Sequence, residues 1–462
     1  MDRRIYDGTH RRYVRGARVE IDFEGVRYPA FEGEPLAVAL FASGVQVLSR
    51  SSKYHRPRTF FCLSGSCGSC LMRVDGLPNM KSCRSRAHAG CKCSRQNAFP
   101  SARFDVFAAA DWIFPHGMDH HTLATSSRLM NEVMKKIVRQ LGGLGQLSAN
   151  APANWPEPRR RHVEIAVVGA GPAGMAAAAA AAEGGAQVLC LDDGDLPGGS
   201  LHSHPELGSE VAARRAADLR ERGVEIATRA AVVGYFQADS RRPDPTLAVV
   251  TEGGLVELTA DRYVYACGSH DQNALFEDND RPGVLSARAV GLLAVRYGVR
   301  PAERAVVLGG GPYARALAQE LLTIGVEARV IDGIGERPVL AHGNTWLEGI
   351  DYVDLKGKVK RAKCDLCAVA ALPAPASELP RQHGAKVLLD ERSGGFAVVG
   401  DRHGRTTATH AYACGDCTGF AGPASATAQG EVAGLSAALD LRESPALRRR
   451  RDQAAGALGV TP

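Results

Sequence analysis

Two periodicities alternate along this chain. In Arg18–Phe23 and Val26–Phe31, apolar and polar residues alternate every second position around Glu24-Gly25, which predicts a hairpin of half-buried strands. From Glu34 to Gly44 the apolar residues recur at helical spacing and a glycine ends the run. A strand over Leu71 to Val74 and a turn at Asp75-Gly76 follow, giving a compact β-grasp-like unit over residues 17–100. Residues 1–16 are polar and basic and are expected to be mobile. Residues 101–145 read as helical, especially Leu129 to Leu141, and close on Gly142-Gly143; Pro152, Pro156 and Pro158 then mark a linker, so 101–161 is a connector. From Val163 the pattern becomes strand, Gly-rich turn, helix, strand, the order of an α/β domain. Residues 441–462 are polar, with Arg448 to Arg451 in a row, and predict a solvated basic tail.

Composition narrows the class. A length of 462 residues suggests two to four domains, and 45% apolar residues suffice for full cores. The net charge of +6 is mild and the arginines are scattered, so nucleic acid is not an expected partner. The first residues carry no apolar signal segment, so the twelve cysteines are expected in a reducing cytoplasm, bound to metal or free. The longest apolar run, Ile165 to Ala182, is interrupted by Gly169, Gly171, Pro172 and Gly174, which argues against a membrane span.

The cysteines carry the most specific chemistry. Cys62, Cys67, Cys70 and Cys83 follow the order C-x4-C-x2-C-x12-C, the plant-type spacing for a [2Fe–2S] cluster. Gly65 and Gly68 let the loop between the first three curl, so that backbone N–H groups can reach cluster sulfurs. Structural zinc is the competing reading, but zinc sites usually pair two short knuckles, and only one is present here. The chain is therefore expected to handle single electrons.

Two nucleotide fingerprints follow. The first, Gly169-Ala170-Gly171-Pro172-Ala173-Gly174, succeeds an apolar strand and opens an Ala-rich helix. Gly169 allows the tight turn, Gly171 the approach of a pyrophosphate, and Gly174 the packing of helix on sheet; Asp192, at the end of the next strand, suits ribose hydroxyls. The second has Gly309, Gly310 and Gly311, with Ala314 at the third position and Asp332 at the next strand end. First glycine and acid are 23 residues apart in both copies (169 to 192, 309 to 332), which supports two Rossmann-like units. A later strand ends in Gly415-Asp416, a carboxylate placed to hold a ribityl or ribose hydroxyl. Gly198, Gly199 and Gly268 complete the candidate dinucleotide-binding set. The first domain is expected to span 162–300 and 400–440, around a shortened second domain at 301–399. Only about thirty residues separate Asp332 from the strand around Asp365 to Val369, which puts productive NAD(P)H binding there in doubt.

Together these residues resemble the two-dinucleotide-fold flavoproteins, and more narrowly the α subunits of heterooligomeric sarcosine oxidase, hydrogen cyanide synthase, opine oxidase and dye-linked proline or hydroxyproline dehydrogenases. Ser52-Lys-Tyr-His-Arg-Pro-Arg58, Gln96-Asn-Ala-Phe-Pro-Ser101, Asp280-Arg-Pro-Gly-Val284 and the Gly415-Asp416 stretch carry the resemblance. It implies an α/β fold of two Rossmann-like, FAD/NAD(P)-type domains preceded by a β-grasp [2Fe–2S] domain. It also implies FAD, NAD or ATP at the first fingerprint, FMN at an interface, and a separate FAD-containing, amine-oxidising β subunit in a heterooligomer. The electron acceptor, such as a quinone, would be the one reason for peripheral membrane contact. The large folate-binding region of true sarcosine oxidase α subunits has no counterpart here, so folate-linked formaldehyde capture is not expected.

The remaining candidates are weaker. Thioredoxin-reductase-like chemistry needs a redox C-x2-C before the second fingerprint, where none occurs; Cys364/Cys367 and Cys414/Cys417 have the spacing but read as packing, as do Cys190 and Cys267. Cys91 and Cys93 read as packing or surface thiols, with a substitute-ligand role as the alternative. His116, His120 and His121 with Asp119 read as structural. Arg56 and Arg58 are open between a cluster or FMN-phosphate contact and plain salt bridges. No hydrolytic or metalloprotease pattern occurs and no catalytic side chain is assigned, as fits cofactor chemistry.

Overall fold

The structure, a computed structural model, describes residues 2–6, 15–52, 54–113, 128–129, 131–133, 136, 156–240 and 243–458. Most of the expected Leu129 to Leu141 helix, the linker up to residue 155, and His116, His120, His121 and Asp119 lie outside them. The chain divides into two compact units, Met1–Pro152 with Asn273–Ala371 and Ala153–Gln272 with Leu372–Pro462. No helix among the described residues is long and apolar enough to cross a membrane.

The first unit begins with a five-stranded sheet in the order Val26–Phe31, Arg18–Phe23, Lys92–Ser94, Leu71–Val74, Leu77–Lys81. Both hairpins turn through two residues of positive φ, Glu24 (56°) with Gly25 (82°) and Asp75 (48°) with Gly76 (82°), the backbone that a two-residue hairpin loop of matching twist requires. The helix Leu36–Ala42 is buried along its whole length. It has no solvent face because one core joins it to both the sheet and the second nucleotide fold, with Phe41 meeting Phe60 at 5.4 Å and Trp346 at 6.1 Å.

That second fold is a parallel sheet of Val284–Ser286, Leu366–Val369, Arg304–Leu308 and Glu327–Ile331, with the helix Pro312–Thr323 as crossover. After Asp332 come three antiparallel strands, Arg337–Gly343, Leu347–Val353 and Val359–Lys363, and no second crossover helix. The domain is thus short in the way the spacing predicts.

Three expectations, one about domain boundaries and two about the chain ends, need correction. The chain leaves the first dinucleotide domain after Gln272, not near Pro301, and returns at Leu372, not near 400. The reason is pairing: Val284–Ser286 aligns beside Leu366–Val369, whereas Ala374–Pro375 pairs with Ser269–His270. The N-terminal residues 2–6 are docked rather than mobile, with the buried Arg4 guanidinium donating to Glu34 at 2.9 Å and Arg4 bridging to Val299. The basic tail is a helix, Pro445–Leu458, in which Arg450 donates to Glu431 at 2.6 Å and also pairs with Glu183.

The second unit is built on a seven-stranded sheet. Its parallel part runs Glu225–Ala227, Val188–Leu191, Arg159–Val168, Gly254–Tyr265, Ala411–Ala413. The twelve-residue strand Gly254–Tyr265 pairs with Thr246–Thr251 at its start, so it carries an antiparallel meander as well as the nucleotide fold. The strand opening the unit starts at Arg159 rather than Val163, because its polar front continues the ladder with Val256 to Thr259. On one face the helix Pro172–Glu183 packs against Gly422–Leu439, both rich in alanine and glycine, which lets their backbones approach closely.

Candidate functional site

The cysteine loop follows the tight path its small residues permit. Leu63, Gly65 and Gly68 all have positive φ (52°, 84° and 69°). This curl aims Cys67 N–H at the Cys62 sulfur and Ser69 N–H at the Cys67 sulfur, each at 3.4 Å. Cys83 comes from beyond the strand Leu77–Lys81, where Ser82 Oγ donates to the Cys70 carbonyl at 3.0 Å. Cys62, Cys70 and Cys83 are buried and Cys67 is exposed, so the patch has one open side.

The four thiols sense one another. The Cys62 S–H holds the Cys67 thiol below its ordinary range and the Cys83 S–H does the same for Cys70, while Cys62 and Cys83 are pushed up by the same contacts and by burial. Deprotonated sulfur is the form that binds iron, and a thiol donating to a neighbouring sulfur stabilises that form. Two cations adjoin the loop: Lys81 donates to the Gly65 carbonyl, and Arg84 lies across Gly65, with its Nε 2.7 Å from where a Cβ would stand. Sequence reasoning assigned charge compensation to Arg56 and Arg58 as one option and missed this pair, although both flank Cys83 in the chain. Arg56 instead pairs with Asp111 at 2.9 Å, and Arg58 with Asp280 at 2.6 Å. Arg58 thereby ties the segment before the cysteine loop to the Asp280 stretch that leads into the strand Val284–Ser286.

The first fingerprint forms a cradle. A Cβ on Gly169 would stand 2.3 Å from the Ala266 carbonyl oxygen, and one on Gly174 would stand 1.7 Å from that of Gly169, so neither tolerates a side chain. Gly171 is different: a Cβ there meets nothing within 4 Å, leaving the mouth of the helix open for phosphate. Pro172 occupies the first helical turn, where a missing N–H is harmless. Asp192 accepts from Ala170 N–H at 2.7 Å and Gly194 N–H at 2.8 Å, so it binds the two loops together at the strand end.

Other candidates converge on the same turn. Gly198 N–H donates to the Ala170 carbonyl at 2.7 Å, and a Cβ on Gly199 would lie 2.9 Å from Gly171 Cα, so the Gly198-Gly199 loop crosses the fingerprint. Gly268 turns at φ 75° with open space beside it. Gly415 sits so near Ala173 that a Cβ would approach its Cβ to 2.7 Å, which brings Asp416 to the first turn of the fingerprint helix. Ser269 donates to Asp416 at 2.8 Å and Gln429 accepts from Gly415 N–H at 2.8 Å. Neither Ser269 nor Gln429 has a local signal in the sequence, since each meets its partner only in the folded chain.

The second fingerprint repeats the backbone of the first. Gly309 turns at φ 137° against Ala370, and Gly311 again has free space. Asp332 accepts from its own turn, from Ile334 N–H at 2.8 Å and Glu336 N–H at 2.9 Å, much as Asp192 does from Gly194, and Arg315 folds back to donate to the Gly310 carbonyl. The two C-x2-C thiol pairs outside the cluster loop are inert by environment. Cys364, Cys367, Cys414 and Cys417 are buried, and burial pushes Cys364 and Cys417 up to about 12 and the other two higher.

Residues 16–98 match the family described as 2Fe-2S iron-sulfur cluster binding domain, and residues 163–340 that described as pyridine nucleotide-disulphide oxidoreductase. The chain is 30% identical over 370 residues to the α subunit of a sarcosine oxidase from Rhizobium meliloti (strain 1021), covering 75% of this chain and 36% of that one. It is 28% identical over 336 residues to a subunit of an opine oxidase from Rhizobium meliloti, covering 61% of this chain and 64% of that one. The chain thus spans about a third of the sarcosine oxidase relative. In fold it resembles the L-proline dehydrogenase of P. horikoshii, with a TM-score of 0.71 and 22% identity over 96% of this chain and 78% of that one. The chain belongs with the homologues of sarcosine oxidase α subunits, with a 2Fe-2S domain fused to a pyridine nucleotide-disulphide oxidoreductase domain of flavoprotein type.

Proposed function

We propose that this chain is the electron-relay subunit of a heterooligomeric amine or imino-acid dehydrogenase or oxidase. A partner FAD-containing subunit would take hydride from the C–N bond of a small secondary amine or amino acid, such as sarcosine, proline, glycine or an opine. The observation that carries this reading is the presence in one chain, a homologue of sarcosine oxidase α subunits, of both a four-thiol patch and an open dinucleotide cradle.

Cys62, Cys67, Cys70 and Cys83 would ligate a [2Fe–2S] cluster. Gly169, Gly171, Pro172, Ala173, Gly174, Asp192, Gly198, Gly199, Gly268, Gly415 and Asp416 would hold FAD, with NAD or ATP as the alternatives, and FMN would sit at the interface with the partner. When bound, flavin and cluster supply the exchange between two-electron and one-electron transfer. The chain's own residues do the rest. The Cys67 and Ser69 amides and the Lys81 and Arg84 cations favour anionic sulfur. The N-terminus of Pro172–Glu183 favours phosphate, and the Asp416 carboxylate accepts from a sugar-alcohol hydroxyl.

A second reading, a stand-alone NAD(P)H-dependent iron–sulfur flavoprotein reductase, is favoured by the intact turn at Gly309 to Gly311. The three antiparallel strands after Asp332, where no further crossover helix follows, and the Arg315 contact on the Gly310 carbonyl weigh against it. The deciding experiment co-purifies the chain with the flavoprotein encoded beside it and adds sarcosine, proline or an opine without oxygen. The complex should bleach with one of these and the chain alone should not. Oxidation of NADH by the isolated chain, with dye reduction, would transfer the assignment to the second reading.

A further inference from the structure

Apart from the four cluster cysteines, a second set of metal-binding side chains gathers in the iron–sulfur domain. Asp75, His88 and Cys91 each present a ligand atom, and these atoms lie within 4.8 Å of one another. The Cys93 sulfur stands 3.7 Å from that of Cys91, beside this group of three rather than within it, and is the fourth ligand an ion would draw in. The two cysteines are buried, and the Asp75 and His88 side chains open to solvent, which leaves an entry path.

The backbone fixes these groups. Lys92 N–H donates to Asp75 Oδ1 at 2.9 Å, which turns Oδ2 towards His88 Nε2 at 2.8 Å and Cys91 Sγ at 3.8 Å. Cys91 N–H in turn donates to the His88 carbonyl at 3.1 Å. Both ring nitrogens of His88 face acceptors, Nδ1 the Ala89 carbonyl at 3.2 Å and Nε2 the Asp75 carboxylate. A neutral imidazole has one N–H and satisfies one of these. With that hydrogen on Nδ1, the Nε2 lone pair confronts a carboxylate, an arrangement relieved by a second proton or by a cation between them.

Zinc–sulfur bonds of ~2.3 Å in a tetrahedron put two sulfurs ~3.8 Å apart, with the mixed edges at ~3.4–3.6 Å. The 3.7 Å between the Cys91 and Cys93 sulfurs matches the sulfur–sulfur edge and the 3.8 Å from Cys91 Sγ to Asp75 Oδ2 is near a mixed edge, while the 2.8 Å between His88 Nε2 and Asp75 Oδ2 is a hydrogen-bond distance that an entering ion widens. Two thiolates, an imidazole and a carboxylate suit a borderline-soft divalent ion rather than magnesium or calcium. We infer that Asp75, His88, Cys91 and Cys93 form a structural zinc site, separate from the cluster ligands.

Zinc entering forms two Zn–S bonds, one Zn–N and one Zn–O bond. It releases two thiol protons to water, and the Nε2 proton where the ring carries one. The ion pins the Asp75-Gly76 turn to Lys92–Ser94, the three-residue central strand of its sheet, and closes the loop that starts at Cys83.

The test is metal analysis of the whole chain, purified without oxygen from zinc-supplied cells, with Zn2+ alone as the probe for chelator-treated protein. About one zinc per chain is expected in addition to iron. Cys91→Ser and the exposed-site variant His88→Ala should each weaken zinc retention by about tenfold or more, with iron content unchanged. Three results overturn the inference: no zinc and no uptake of Zn2+ by wild-type chain, uptake indifferent to both substitutions, or loss of iron rather than zinc in Cys91→Ser. Iron content reports on the cluster independently, so failure here leaves the relay proposal standing.

Discussion

Gly430 lies directly against Ala173: a Cβ on the glycine would stand 2.0 Å from the alanine's carbonyl oxygen. Gly434 repeats the contact one turn later, 2.2 Å from the Ala177 carbonyl oxygen. The helix of the fingerprint is thus held by glycines more than 250 residues away, and the position of the phosphate-facing turn depends on them. Gly430→Ala should lower stability by about 1–3 kcal/mol and release bound dinucleotide. Gly456→Ala, where a Cβ meets nothing, should do neither. Thermal unfolding and nucleotide content after gel filtration read both effects, and equal behaviour of the two variants would contradict the packing argument.

Gly171 and Gly311 offer a paired test of the two fingerprints. Neither has protein within 4 Å of an added Cβ, and both have ordinary negative φ (−76° and −72°), so valine at either should leave the fold intact. Gly171→Val should lose the dinucleotide. Gly311→Val should be silent in cofactor content and turnover, because Arg315 folds onto the Gly310 carbonyl and no crossover helix follows Asp332 to complete a nicotinamide site. A loss of NADH-linked activity in Gly311→Val would show that site to be in use.

How far these features can be read from sequence follows their range. The Asp75-Gly76 turn and the fingerprint at Gly169 are local, since a few residues dictate their backbone, and both are found where the pattern predicts them. The domain exchange is not local. Val284–Ser286 is a strand of three residues, too short for a period, and only its pairing with Leu366–Val369 assigns it. The C-terminal helix lacks buried residues and therefore an apolar stripe, and its anchor is the Arg450 contact with Glu431 and Glu183. Arg4 reads as tail chemistry until Glu34 receives it in the core. The spacing of Cys62, Cys67, Cys70 and Cys83 is legible in the sequence, while Lys81 and Arg84 beside them become meaningful only once the loop curls back.

His383 predicts an acid-sensitive second unit. Its ring stacks on Tyr235 at 3.8 Å and its Nδ1 meets the Tyr265 hydroxyl at 2.8 Å, and burial holds the imidazole down to about 4. The unfolded chain takes up this proton near pH 6.5 and the folded one near 4, so the contribution is complete above 6.5 and is lost as pH falls to 4. With partial solvent screening it amounts to about 2 kcal/mol. Urea midpoints should fall between pH 7 and pH 5, and His383→Phe should flatten that slope. An unchanged slope in the variant would assign the acid sensitivity elsewhere.

Cys70→Ala separates relay from flavin chemistry. In the complex with its partner, flavin should still bleach with the amine, while turnover with the acceptor falls by at least about tenfold. Turnover equal to wild type would remove the cluster from the electron path.

The most direct measurement is iron and acid-labile sulfide in the anaerobically purified chain, with an EPR spectrum after dithionite. The account predicts about two of each per chain and a signal of a reduced [2Fe–2S] centre, both abolished in Cys70→Ala. Colourless protein without iron, silent after reduction, would contradict it.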